Sequence, residues 1–308
     1  MVSGKEGTAV GMIEEAEVEG SREVSSAMDK VPRPPRFVLG RVPVDRISME
    51  YAAVLVTEAL LHRGELPPLT IVGPNAHLVT MAERDARFAE AMQQADLAVP
   101  DGISVVMASR VLGEPIPERV TGGDLMERMC REAAHYGFRV FFLGGLPGAA
   151  RMAAFNLRRR YPSLNICGTY CPPCGFEKSP AEQAHILREI EQSAPDLLCV
   201  AFGAPKQEIW MQENRSRLRV GAILPVGAAF DTQAGLRRRA PQWIQRLALE
   251  WLFRLMSEPR RLGRRYVAGN TQFILLVLRQ WTRQTLERLT QRVEAVAGPQ
   301  EPAAHEGD

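Results

Sequence analysis

Short apolar runs alternate with amphipathic helical stretches along the middle of the chain, beginning at Leu69. Each run has the length of a short buried strand, and the stretches between the runs carry apolar residues at helical spacing. Strands that alternate with helices are typical of βαβ units. The pattern therefore predicts an α/β fold, with a Rossmann-like, mostly parallel sheet and helices on both faces. The predicted strands are Leu69–Val72, Leu97–Val99, Phe138–Leu143, Leu164–Cys167, Leu197–Ala201 and Ala222–Val226, and the predicted helices are Ala76–Gln94, Ile103–Leu112, Gly123–Tyr136, Gly148–Arg160, Pro180–Ser193 and Lys206–Arg217.

The two ends of the chain differ in character from this middle part. Residues 1–35 are rich in Gly, Ser, Glu and Pro and have little apolar periodicity, so we expect a disordered extension there. Residues 36–235 form the predicted α/β core. Residues 236–295 are predicted to form an arginine-rich helical appendage that associates with a membrane, and residues 296–308 a disordered polar tail.

The composition is that of a globular protein with a sizeable core. The chain has 308 residues, of which 45% are hydrophobic and 24% charged, and its net charge is +2. The longest apolar stretch, Phe273–Leu278, is far shorter than the roughly 18 to 20 residues of a membrane-spanning helix.

The five cysteines are an odd number without regular spacing, which favours a reducing compartment. Cys171 and Cys174 would need a second pair to form a zinc site, and none follows, so a structural role is favoured for them.

Polar or glycine-rich loops follow most of the predicted strands. Ligands of parallel sheets bind beyond the carboxyl ends of the strands, so these loops are where function is expected. The loops read Gly73-Pro74-Asn75, Pro100-Asp101-Gly102, Gly144-Gly145-Leu146-Pro147-Gly148, Gly203-Ala204-Pro205-Lys206-Gln207-Glu208 and Gly227-Ala228-Ala229-Phe230-Asp231, and a further loop before a helix reads Arg119-Val120-Thr121-Gly122-Gly123-Asp124. The candidate substrate-binding residues in them are Asn75, Thr121, Gly122, Asp124, Gly144, Gly145, Gln207, Gly227 and Asp231.

Asp101 closes the buried run Leu97–Val99 and is followed by Gly102, which lets the chain turn sharply. A rigid strand would hold its carboxylate in place while leaving it open to a ligand. Asp101 could accept a proton from an attacking hydroxyl as a general base. It could also cap the helix Ile103–Leu112, because aspartate is a favoured N-cap residue. The residue types alone leave both roles open.

The candidates for phosphate binding are the Gly144-Gly145 loop and Arg119. Glycines at a strand-to-helix junction let backbone N–H groups approach a phosphate, whose charge the helix dipole favours. The alternative is a simple tight turn, since the loop matches neither a dinucleotide fingerprint nor a P-loop. Arg119 could neutralise a diphosphate or form a surface ion pair. Asn75 and Gln207 suit sugar hydroxyls because they donate and accept hydrogen bonds, although asparagine is also a good cap.

The chain contains no D-x-D sequence and no His/Cys cluster with the spacing of metal ligands. The charge that develops on a diphosphate leaving group would then be met by arginine, helix dipoles and backbone amides. We therefore expect a mechanism that uses neither a metal ion nor a cofactor.

The C-terminal appendage carries a concentrated positive charge. Between Arg237 and Arg265 there are nine arginines and two acidic residues. A helix predicted from Trp243 to about Met256 places tryptophans and leucines at helical spacing. Such a helix suits the surface of an anionic membrane. Nucleic acid also attracts a basic patch, and a helix docked on the core with solvated arginines would show the same pattern.

These motifs together resemble the WecG/TagA/CpsF glycosyltransferases, family 26, over about residues 37 to 280. No single piece is decisive, but six pieces in the family's order make a specific match. The pieces are the Asn75 loop, Ala95-Asp96 through Pro100-Asp101-Gly102, Arg119-Val120-Thr121-Gly122 with Asp124, Phe141 and Leu143 before Gly144-Gly145, Gly203 with Pro205-Lys206-Gln207-Glu208, and Arg239-Ala240-Pro241 with Glu250-Trp251 and Glu258-Pro259.

The resemblance implies an inverting enzyme that moves a sugar from a UDP-sugar to a polyprenyl-diphosphate-linked saccharide in bacterial cell-surface polysaccharide synthesis. The sugar would be of the N-acetylmannosamine type, its uronate or a hexose. The resemblance also implies that Asp101 is the base, that Asn75, Arg119 and Gln207 line the site, and that the enzyme is peripheral on the cytoplasmic face of the plasma membrane. The arginines expected at the membrane or the acceptor diphosphate are Arg239, Arg254, Arg261, Arg264 and Arg265.

One position departs from the family's pattern. Many members carry threonine two residues before the asparagine, where this chain has Gly73, and this leaves the identity of the donor and of the acceptor open.

A Rossmann-type oxidoreductase stays an alternative function although the dinucleotide fingerprint is absent. A non-enzymatic membrane scaffold would explain the arginines but not the polar strand ends. Nucleic acid is not an expected partner, and a homo-oligomer stays open.

Overall fold

The computed structural model describes residues 32–237, 241, 244 and 259–297, with the side chains of the last range described from 269 to 292. The described chain opens with an antiparallel hairpin of β1 (Arg36–Leu39) and β2 (Val42–Asp45). Helix α1 (Met49–Leu61) follows, and its N-cap Ser48 accepts a hydrogen bond from the Tyr51 N–H. The predicted extension over residues 1–35 lies almost wholly outside the described residues, as does the predicted tail.

The main sheet has six strands, all parallel, in the order β4-β3-β8-β7-β5-β6. All six strands that the apolar runs predict are present, and the predicted α/β class is confirmed. Most of their residues are buried, as is usual for strands covered on both faces. The strands are β3 (Leu69–Val72), β4 (Leu97–Ala98), β5 (Arg139–Gly144), β6 (Asn165–Tyr170), β7 (Leu197–Ala201) and β8 (Ala222–Pro225).

Helices cover both faces of this sheet, so alternate strand residues enter different parts of the core. Leu197 and Cys199 of β7 pack with the cluster under α1, whereas Leu198 and Val200 pack in a cluster on the opposite face. Short 3₁₀ turns lie at Phe176–Lys178 and Arg215–Arg217. The remaining helices are α2 (Ala76–Ala82), α3 (Ala86–Gln93), α4 (Ile103–Val111), α5 (Gly122–Tyr136), α6 (Ala149–Arg160), α7 (Pro180–Ser193), α8 (Lys206–Asn214), α9 (Ala229–Gln233) and α10 (Pro259–Ala297).

The prediction of one helix over Ala76–Gln94 is wrong, because the chain forms α2 and α3 there. Asp85 is extended between them, and its Oδ1 accepts a hydrogen bond from the Phe88 N–H at 3.0 Å, which starts a new helix. The predicted strand Leu164–Cys167 is too short. Strand β6 runs to Tyr170 because its pairing with β5 continues past the apolar residues.

The apolar stretch Phe273–Leu278 belongs to the long helix α10, which runs from Pro259 to Ala297. This helix docks on the core, where Phe273 and Val277 are buried with residues of α2 and the hairpin. Gln280 fixes it further: its Oε1 accepts from the Gly40 N–H, and its Nε2 donates to the Val38 carbonyl. Among the helices described, none is both long and apolar enough to cross a membrane. The helix predicted from Trp243 to Met256 lies outside the described residues.

Candidate active site

The loops that follow β3, β4, β5, β7 and β8 surround one cavity at the carboxyl end of the sheet. Its volume is about 1570 Å³, larger than the roughly 300–1,000 Å³ of a typical pocket for one small ligand. Helices α4 and α10 complete its wall. The sequence-predicted residues that line it are Asn75, Asp101, Arg119, Thr121, Gly122, Gly145, Gln207, Gly227 and Asp231.

The loops after β3 and β4 pack against each other through two glycines. A Cβ placed on Gly73 would lie 3.3 Å from the Asp101 Cβ and 3.7 Å from its Oδ2. A Cβ placed on Gly102 would lie 2.8 Å from the Asn75 Cβ, which is closer than side chains approach. The Asp101 N–H donates to the Pro74 carbonyl at 3.0 Å and ties the two loops together. Gly73, where the sequence departs from the family pattern, therefore borders Asp101.

Asp101 does not cap the helix that follows it. The N-cap residue of α4 is Gly102, which has no side chain to make a cap hydrogen bond. The Asp101 side chain is half-buried at the cavity wall. Asp101 is therefore not the N-cap residue of α4, and it lines the cavity instead.

Asn75 is an N-cap residue as well as a lining residue. Its Oδ1 accepts hydrogen bonds from the N–H groups of His77 and Leu78, at 3.1 and 3.2 Å, and so starts α2. Its Nδ2 is 3.4 Å from the Gly73 carbonyl. The amide oxygen is thus already occupied, and a ligand would meet the Nδ2 hydrogens.

Arg119 lines the cavity just before α5, whose N-terminus faces the same space. Thr121 caps this helix: its Oγ1 accepts from the Asp124 N–H at 3.0 Å and donates to Asp124 Oδ2 at 2.7 Å. Asp124 belongs to this capping pair and does not line the cavity. A Cβ on Gly122 would lie 2.6 Å from the Pro225 carbonyl oxygen, so glycine lets the helix approach the end of β8.

The glycine loop after β5 is shaped by packing. A Cβ on Gly144 would lie 2.7 Å from the Ala201 carbonyl oxygen, and Gly144 itself is buried away from the cavity lining. The Gly145 N–H donates to that same carbonyl at 2.9 Å. The next N–H, of Leu146, lies 3.4 Å from Asp231 Oδ1. These two amides are engaged within the protein, so a phosphate at this loop would need other donors.

Asp231 and Gly227 close the cavity on the β8 side. Asp231 is buried, and its Oδ2 lies 3.3 Å from the Arg237 Nε. Arg237 also lines the cavity and brings a second guanidinium to it. Gly227 has a φ of +52°, a left-handed conformation that glycine adopts without strain.

Of the C-terminal arginines predicted at the site, Arg239 and Arg254 lie outside the described residues, as do the side chains of Arg261, Arg264 and Arg265.

Gln207 and Glu208 form a buried pair at the start of α8. Gln207 Oε1 accepts from the Gly203 N–H at 3.2 Å, and its Nε2 donates to Glu208 Oε1 at 2.8 Å. These two bonds fix the orientation of the Gln207 carboxamide at the cavity. Glu208 Oε2 is buried and has no hydrogen-bond partner, which is unfavourable for a charged carboxylate. Burial raises the pKa of Glu208 to about 7, against 4.5 for an exposed glutamate.

Replacing Glu208 with glutamine should remove a pH dependence of stability. The folded protein holds the Glu208 proton up to about pH 7, whereas the unfolded chain releases it near pH 4.5. Stability should therefore fall as the pH rises through this window, by about 3 kcal/mol in total. Glu208→Gln should lose that fall, which urea unfolding at a series of pH values measures. Glu213→Gln, an exposed position on the same helix, is the control, and pH profiles parallel to wild type in both variants would contradict the assignment.

Cys171 lies beside the Gly145 loop of the site. Cys171 Sγ lies 3.4 Å from the Gly145 carbonyl oxygen, and burial raises the pKa of this thiol. All five cysteines are free. Within the described ranges, no group of three or more His, Cys, Asp and Glu residues is placed to hold a metal ion.

The sequence does not predict the part of the cavity that is formed by the faces of α4 and α10. Met107 and Val111 of α4 and Ile274 and Leu278 of α10 line it. Their spacing along each helix is a signal, but the sequence does not show that the two helices meet. The sequence places Glu208 in a loop motif but gives it no role, because its burial depends on the packing of α8.

A parallel α/β sheet whose strand ends surround a cavity lined by a carboxylate, guanidinium groups and amides is typical of α/β enzymes that bind their ligands at this edge. The chain matches the Glycosyl transferase WecG/TagA/CpsF family over residues 37–287 and belongs to this family of glycosyltransferases. It is similar to the N-acetylglucosaminyldiphosphoundecaprenol N-acetyl-beta-D-mannosaminyltransferase of Bacillus spizizenii (strain ATCC 23059 / NRRL B-14472 / W23), with 32% identity over 194 residues, which cover 63% of this chain and 73% of the relative. An enzyme of the same name from Staphylococcus aureus (strain MRSA252) is 31% identical over 197 residues, covering 64% and 75%.

Proposed function

We propose that this glycosyltransferase moves a sugar from a UDP-sugar to a polyprenyl-diphosphate-linked saccharide, with inversion and without a metal ion. The sugar is of the N-acetylmannosamine type, its uronate or a hexose. The observation that carries the proposal is Asp101, which lines the cavity at the carboxyl end of the sheet and is not the N-cap residue of the helix that follows it. The names of the similar enzymes, which specify a sugar linked to diphosphoundecaprenol, support the acceptor class.

In the proposed reaction Asp101 accepts the proton of an acceptor hydroxyl as general base. The hydroxyl oxygen bonds to the anomeric carbon on the face opposite the diphosphate. The bond from that carbon to the diphosphate oxygen breaks, and UDP leaves with the electron pair. A single displacement of this kind inverts the configuration at the anomeric carbon.

The departing diphosphate needs positive charge, and two guanidinium groups are at the cavity. Arg119 stands beside the N-terminus of α5, and Arg237 stands beside Asp231. Guanidinium groups pair with phosphates bidentately, and a helix N-terminus also favours an anion. We propose that they stabilise UDP together with the C-terminal arginines Arg239, Arg254, Arg261, Arg264 and Arg265. This charge is the basis on which we propose transfer without a metal ion.

The remaining residues of the cavity wall bind or shape the sugars in this proposal. The Nδ2 of Asn75 and the fixed carboxamide of Gln207 offer N–H groups to sugar hydroxyls. Thr121, Gly122, Gly145, Gly227 and Asp231 line the same space. Asp124 and Gly144 support the wall through the Thr121 cap and the Ala201 contact.

We also propose that the enzyme is peripheral on the inner face of the plasma membrane, where a lipid-linked acceptor is found. Helix α10 exposes Leu275, Trp281, Leu286 and Leu289 together with Arg283. Apolar and arginine side chains on one exposed helix suit the interface of an anionic bilayer.

Transfer is tested by incubating the protein with UDP-sugars and an N-acetylglucosaminyl-diphosphate carried on a polyprenyl chain. We expect one glycosylated product by mass, with its new linkage inverted by NMR, and an unchanged rate after EDTA treatment. Thermal unfolding should shift upward with UDP and not with NAD, because a ligand that binds the native state stabilises it. A shift with NAD alone would favour an oxidoreductase, and loss of transfer in EDTA would contradict the metal-independent step.

A further inference from the structure

The cavity has an apolar end that the proposed chemistry does not use. Four large apolar side chains line it there: Met107 and Val111 from α4, and Ile274 and Leu278 from α10. Each is about half exposed, at 54%, 52%, 56% and 49%. Exposed apolar surface continuous with a ligand cavity indicates an apolar ligand or ligand segment.

Helices α4 and α10 both line the cavity and approach each other near Gly113. Helix α4 begins just after Asp101 and ends near Gly113, over a length of about 13 Å. On α10, Asn270 lines the cavity, while the Arg288 guanidinium lies 3.5 Å from a Cβ placed on Gly113. The apolar surface between the helices is therefore an extended groove with one end at Asp101.

Helix α10, which forms one wall of this groove, is held firmly on the core. Phe273 and Val277, on the same turns of α10 as the groove residues, are 5% and 8% exposed in the core. Gln280 holds the helix to the hairpin through the Gly40 N–H, at 3.0 Å, and the Val38 carbonyl, at 2.8 Å. The exposure of Ile274 and Leu278 thus belongs to a docked helix.

We propose that this groove binds the isoprene units of the acceptor that are nearest to its diphosphate. The inference rests on the proposed function, since it assigns a place to one part of that acceptor. The acceptor hydroxyl meets Asp101 in the proposed reaction, so the polyprenyl chain of that acceptor has to leave from the same cavity, and the groove is an apolar path that begins there. Hydrocarbon that enters it leaves water, which strengthens binding of the acceptor.

Two acceptors with the same N-acetylglucosaminyl-diphosphate head test the groove, one carrying a farnesyl chain and the other a methyl group. The assays contain no vesicles or detergent. Wild-type kcat/KM should be about tenfold or more higher for the farnesyl acceptor, because each buried CH₂ group adds to binding. In Met107→Gln/Leu278→Gln this preference should fall to about twofold or less, through KM, with the methyl acceptor unaffected.

The matched control is Met152→Gln/Leu61→Gln, which replaces one exposed methionine of α6 and one exposed leucine of α1, both outside this cavity. It should keep the farnesyl preference. An equal kcat/KM for both acceptors in wild type, or a retained preference in Met107→Gln/Leu278→Gln, overturns the groove while leaving the proposed function in place. Wild type that glycosylates neither acceptor overturns both. A dimer that the groove variant converts to a monomer without acceptor assigns the face to a second copy of the chain instead.

Discussion

Asp101→Asn should lower the turnover number by about 10²- to 10⁴-fold and leave UDP affinity nearly unchanged. Asparagine keeps the size of the side chain but cannot take the proton of the acceptor hydroxyl. The backbone bond from Asp101 to Pro74 does not involve the carboxylate, so the loop keeps its position. Product formation followed by mass gives the turnover number, and calorimetric titration with UDP gives the affinity.

The control for this substitution is Asp85→Asn. Asp85 caps α3 and does not line the cavity, and asparagine is an equally good N-cap. This variant should keep wild-type turnover and stability. Near-normal turnover in Asp101→Asn would remove Asp101 from the role of base, and a lost UDP affinity would assign it to donor binding.

Arg36→Met should lower the free energy of unfolding by about 3–5 kcal/mol. Asp45 is 1% exposed, and its carboxylate accepts two bonds from the Arg36 guanidinium, at 2.6 and 2.8 Å. It also accepts the Ala98 N–H at 2.7 Å, so this pair ties the hairpin to the end of β4. Without the guanidinium, a charged carboxylate would remain buried and unpaired. Urea unfolding measures the loss.

A second substitution distinguishes the buried charge from lost packing. In Arg36→Met/Asp45→Asn the side chain at position 45 is neutral and can still accept the Ala98 N–H, so much of the lost stability should return. The control is Arg46→Met, which removes an ion pair with Glu114 that is about one third exposed on both sides and should cost less than about 1 kcal/mol. A double variant no more stable than Arg36→Met would contradict the role of the buried charge.

Much of the fold follows from local pattern. The six buried strands appear where apolar runs stand, because a strand covered on both faces needs apolar residues on both. The break at Asp85 was missed because the apolar spacing continues through it, and only the cap hydrogen bond reveals a second helix. Strand β6 was cut short because its last residues are held by backbone pairing with β5, which their side chains do not signal.

The candidate site, like the fold, follows in part from the sequence and in part from tertiary packing. The sequence by itself determined the residue types at the strand ends, because parallel strands bring all their carboxyl ends to one edge of the sheet. Only the tertiary structure shows that Gly102 and not Asp101 takes the N-cap position of α4, and that Asp101 lines the cavity. It also decided that the Gly145 amide is engaged and that Glu208 is buried. Helix α10 lines the cavity because it docks on residues far earlier in the chain, such as Gln280 on Gly40, 240 positions away, and no local pattern encodes a contact at that distance.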